Sequence, residues 1–78
     1  MSKTYYHDAL IHAEDHLNNR INTQYIYLRH QLRDLPGCVA SERDSREAEI
    51  NLLETDICNL TTARDRIKAL IVESAFDT

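Results

Sequence analysis

The chain reads as all-α: an antiparallel hairpin of two long helices, expected to pair with a second copy as a four-helix bundle. Three observations lead to this expectation. The only proline and the only glycine stand together, Pro36 and Gly37 in "LPGC", and nothing else among the 78 residues breaks a helix. Apolar residues recur at alternating three- and four-residue steps on both sides of that point. A chain this short is one domain at most, with a core that is marginal alone, so it needs a disulfide, a metal or association with another chain.

Helix 1 is expected over about residues 3–34. Leu10, Ala13, Leu17, Ile21, Gln24, Leu28, Leu32 and Leu35 form its inward stripe. Arg29 and Arg33 suit the negative end of its dipole. The turn falls within 35–41, where Pro36 cannot continue a hydrogen-bonded helix. Helix 2 is expected over about 42–75, with Ser41 as N-cap and Asp44 in the first turn. Its stripe, Ile50, Leu53, Ile57, Leu60, Arg64, Ile67 and Ile71, has the strict seven-residue repeat of a coiled coil. The charged stretch "ERDSREAE" opening this helix reads as solvated surface held by ion pairs one turn apart.

So short a connection makes the helices antiparallel neighbours. Folding back at Gly37 is expected to bring Leu17 beside Leu60, Leu10 beside Ile67 and Gln24 beside Leu53. Arg64 would then lie opposite the small Ala13, free to reach Glu14, its aliphatic stem packed and its head near water.

The outer face of helix 1 carries Tyr5, His12, His16, Asn19, Thr23, Ile26 and His30, with Tyr25 and Tyr27 at its flanks. Apart from the histidines it holds no ionisable group of the Lys, Arg, Asp or Glu kind, whereas a solvated helix surface is rich in them. In helix 2, Leu52, Ala63 and Leu70 widen the apolar arc beyond what one neighbour buries. Two-fold pairing of hairpins covers such surface at least cost, so a homodimer is expected. If the histidine face is the seam, protonation there sets like charges together, and association should weaken below about pH 6.

Several function classes recede on the same residues. Cys38 lies in the turn and Cys58 well along helix 2, on the order of 25 Å apart at ~1.5 Å per residue. A disulfide needs Cα atoms within roughly 7 Å, so both thiols are expected to be free. With no secretory signal, the expected location is cytoplasmic. The longest apolar run, "IKALIV", contains a lysine and is far shorter than the ~20 residues of a membrane span. The net charge is −4 and the arginines are interspersed with acids, which argues against a nucleic-acid footprint.

"HAEDH", His12 to His16, spaces two histidines as zinc ligands one helical turn apart, with Asp8 a third candidate. The metalloprotease order requires glutamate directly after the first histidine, and Ala13 stands there. Neither metal nor cofactor is expected. The chain also lacks a Gly-rich loop and a nucleophile elbow, so no enzyme activity is expected.

What remains is a non-enzymatic protein–protein interaction module. It would inhibit, chaperone or recruit a larger protein, as small co-chaperones do, or as the small inhibitors do that phages direct at host factors. The expected contact residues are Tyr5, Tyr6, His12, His16, Tyr25, Ile26, Tyr27 and His30, because binding energy concentrates on uncharged, aromatic-rich surface. The alternative is a nucleic-acid regulator of the hairpin-dimer kind, with Arg20, Arg29 and Arg33 lining a groove between two chains.

Overall fold

Pro36 has no amide hydrogen and cannot bond back to the preceding turn, so a helix running through it must tighten or end. Both happen. The structure, a computed structural model, describes residues 2–76, with side chains from Tyr5 onward. Helix α1 spans Ser2–Asp34, a single 3-10 turn covers Leu35–Gly37, and helix α2 spans Ala40–Phe76. The described residues form a helical hairpin, 58 Å long and 14 by 13 Å across its Cα atoms, without a strand.

The turn is held by two carbonyls. That of Leu35 accepts from the Cys38 amide at 3.3 Å and from the Cys38 thiol at 3.1 Å. That of Val39 accepts from the amides of Glu42 and Arg43 at 3.0 and 3.1 Å, and so starts α2. Helix 2 therefore begins two residues before its expected start, and Ser41 lies inside the first turn rather than capping it. Gly37 does not use the conformational freedom of glycine: no residue among those described has a positive φ, and a Cβ built there meets nothing within 4 Å. Pro36 alone explains the break.

Both helices present a strict seven-residue repeat, whose inward positions can be labelled a and d. In α2 the repeat is the expected one, extended at its ends to Arg46 and Ser74, both half-buried. In α1 it runs through Leu10, Glu14, Leu17, Ile21, Gln24, Leu28, Gln31 and Leu35, all half-buried or better. This corrects the expected stripe at one position: Leu32 is exposed and Gln31 takes its place. Glu14 joins the inward row beside Ala13. Packing geometry prevails over polarity here, because 3.5 residues per turn keeps a seam facing its partner whatever residue falls on it.

The core is short of material. Leu10, Ile21, Ile50, Leu53 and Ile57 are its buried members, and no side chain among the described residues is wholly buried. Between the apolar layers run polar rungs that cross from helix to helix. His7 Nδ1 lies 2.6 Å from Ser74 Oγ, Arg64 donates to Asn18 at 3.3 Å, Gln24 to Asp56 at 2.9 Å, and Arg46 to Gln31 at 3.0 Å.

These rungs also report the register. Near the turn Gln31 meets Arg46, but further out Gln24 meets Asp56 rather than Leu53, and Arg64 meets Asn18 rather than Glu14. Away from the turn the partners thus sit about one helical turn from the expected pairing.

Candidate protein-interaction surfaces

With a and d facing inward, the other repeat positions of α1 fall into faces. Positions f, c and g form one continuous band. Arg33 at f and Arg20 and Asp34 at g give it charge, and of the expected contact residues it holds Tyr5, His12 and Ile26 at f, His16 and His30 at c, and Tyr6 and Tyr27 at g. All seven are exposed, and they lie within roughly 100° of arc. Position e lies on the opposite flank, with Ile11, Asn18, Tyr25 and Leu32. The structure thus brings together seven of the eight expected contact residues and sets Tyr25 apart.

The band has few internal ties. Thr23 bonds the carbonyl of Asn19 at 3.0 Å, and His30 Nδ1 lies 3.1 Å from the Arg33 guanidinium. A shallow hollow of about 260 Å³ opens between His16, Asn19, Arg20, Thr23 and Gln24. His12 and His16 share this face, about 40° apart. Glu14 instead points into the helix pair and Asp15 toward the far flank. The acids of "HAEDH" therefore diverge from its histidines, and among the described residues no three His, Cys, Asp or Glu side chains converge as a metal-binding group.

The e flank is a different surface, one the sequence reading did not single out. A groove of about 370 Å³ runs there between the helices, floored by Leu28 and Ile57 and walled by Tyr25, Cys58, Thr61 and Thr62, with Glu54 at its rim. The Thr62 hydroxyl is committed to the Cys58 carbonyl at 3.0 Å, which removes a donor from the groove wall. Cys58 is exposed and Cys38 half-buried, both as free thiols. The signal that could have found this flank was the unbroken seven-residue spacing of Ile11, Asn18, Tyr25 and Leu32. Placing Leu32 in the core hid it.

The arginines named for a nucleic-acid groove do not share a face. Arg20 and Arg29, nine residues apart, lie on nearly opposite sides of α1. Arg33 is engaged with Asp34 at 3.4 Å as well as with His30. On α2 the expected surface pairing is present between Arg43 and Glu47 at 3.3 Å, while Arg64 is shared between Asn18 and Asp65. Leu52 and Leu70 stand on the g/c side of α2, exposed to 70% and 37%. Among the described residues no helix is long and apolar enough to cross a membrane.

What the geometry defines is a class, the two-helix coiled-coil hairpin with uncovered aromatic and aliphatic flanks. No protein-family model, curated protein or solved structure matches the chain.

Proposed function

We propose that this chain is a non-enzymatic protein–protein interaction module, whose α1 outer band docks on a larger protein and thereby inhibits, holds or recruits it. The observation that carries the reading is the band itself. Tyr5, Tyr6, His12, His16, Ile26, Tyr27 and His30 lie together on one exposed face, with little to occupy them inside the chain. Tyrosine offers a large rigid surface with a polar tip at small entropic cost, and aromatic-rich patches are where interface energy concentrates. A free-thiol hairpin of this kind suits a reducing cytoplasmic setting.

The test is affinity capture with the tagged hairpin, comparing wild type with Tyr27→Ala and His16→Ala, followed by titration of the captured protein in purified form. Both side chains are exposed, so helicity by circular dichroism should be unchanged while affinity falls by about tenfold or more for Tyr27→Ala. Undiminished affinity in both variants would overturn the assignment of the band.

A further inference from the structure

We infer that the e flank is a docking face for a second copy of this chain, the two hairpins being related by a two-fold axis that crosses both helices near residues 21–22 and Thr61. The occupant follows from area and from charge. A compact 9.1 kDa protein exposes about 4,900 Å², whereas this hairpin exposes 5977 Å². The surplus of roughly 1,100 Å² per chain exceeds the ~800 Å² that each partner contributes to a stable interface. A second copy is the one partner that every chain in the population brings, and the residues of the e flank are arranged as a self-complementary surface must be.

That arrangement is visible in the spacing. On α1, Ile11 and Leu32 are centred between residues 21 and 22, and so are Asn18 and Tyr25; Asp15 and Arg29, on the adjoining b positions, are centred on Asn22. On α2 the e positions Glu54 and Lys68 are centred on Thr61. A two-fold axis through these centres lays each helix antiparallel on its own copy. It sets apolar Ile11 against apolar Leu32, and opposite charges against each other in Asp15 with Arg29 and in Glu54 with Lys68.

One axis can serve both helices only if the two centres are level. The rungs from Asn18 to Arg64 and from Gln24 to Asp56 put Thr61 level with the residues around 20 and 21, within roughly 3 Å of the α1 centre. The side chains of Asp15, Arg29, Glu54 and Lys68 are all exposed and take no part in the ion pairs or hydrogen bonds of the described chain. They are therefore available for a partner. The groove between Tyr25 and Cys58 lies beside the axis, where each copy would cover it. This face is separate from the α1 outer band, so the inference stands or falls independently of the proposed function.

The experiment is a charge swap read by solution mass, using the full chain in light scattering coupled to size exclusion, and sedimentation velocity over a concentration series. Wild type is expected to be dimeric. Lys68→Glu places two like-charged contacts in each dimer and should raise the dissociation constant about tenfold or more, and Leu32→Glu should do the same through the apolar pair. The double variant Glu54→Lys with Lys68→Glu should restore association to near the wild-type value, with helicity unchanged throughout. A wild-type chain that stays monomeric at about 100 μM overturns the inference. So does a dimer indifferent to both single variants, or a loss in Lys68→Glu that the swap does not restore.

Discussion

Ile57 shows how much depends on single side chains in so thin a core. It is 7% exposed, at an a position flanked by the Gln24–Asp56 rung, and it also floors the e-flank groove. Truncation removes buried methyl groups and leaves space that two helices cannot easily close, so Ile57→Ala should cost about 2–4 kcal/mol. Leu60, one step along the same stripe, is half-buried and should cost about half as much when changed to alanine. Urea unfolding at a fixed protein concentration measures both, since association would add a concentration-dependent contribution. Equal losses at the two positions would show that Leu60 is covered by something other than its own chain. From the sequence the two residues were indistinguishable, because a seven-residue repeat names the seam without saying how deeply each layer is covered.

At the scale of elements, the turn and the rungs divide the work of specifying the hairpin. Pro36 makes the break, and the Leu35 and Val39 carbonyls complete it with backbone donors. Gly37 has no positive φ and open space at the Cβ position, so Gly37→Ala should raise stability by about 0.4–1 kcal/mol through the lost entropy of the unfolded chain. A fall in stability, read by thermal unfolding, would mean that the turn samples conformations only glycine allows. The rungs act on register. A coiled coil held by leucine and isoleucine alone can slide by a turn at small cost, whereas sliding here would strand Arg46, Gln31, Gln24 and Arg64 without partners on a half-buried seam. A single hydrogen bond of this kind adds little to net stability, so the weight of the rungs lies in penalising wrong pairings.

At the scale of the whole molecule, the hairpin is a rod with more surface than a chain of its mass needs, and its two free flanks differ in chemistry. The α1 outer band carries His12, His16 and His30, whereas the e flank and its neighbouring b positions hold no histidine. If the e flank is the dimer seam, no imidazole lies within it for a change from pH 8 to 5.5 to act on. The mass by sedimentation should therefore be the same at both values. If the histidine band were the seam, protonation would set like charges against one another and the dimer would dissociate at the lower pH. With dimerisation on the e flank, both outer bands stay open, and a target protein with two sites, or a dimeric one, would be held bivalently.

The sequence by itself determined the class of fold, the position of the break and the α2 seam, because each follows from local rules: one proline, an uninterrupted helix-forming chain and a repeat of seven. It also drew attention to the tyrosines and histidines of the α1 outer face, but not to Arg20, Arg33 and Asp34, which the seven-residue repeat sets on the same band. The inward row of α1 was decided only by the tertiary structure. Gln31 and Leu32 are equally placed by local propensity, and the choice between them rests on which one the neighbouring helix meets. That choice carried Leu32, and with it the alignment of Ile11 and Tyr25, onto the exposed flank. Register was likewise decided in three dimensions, because it depends on side chains that find each other across the pair, which a pattern along one chain cannot contain.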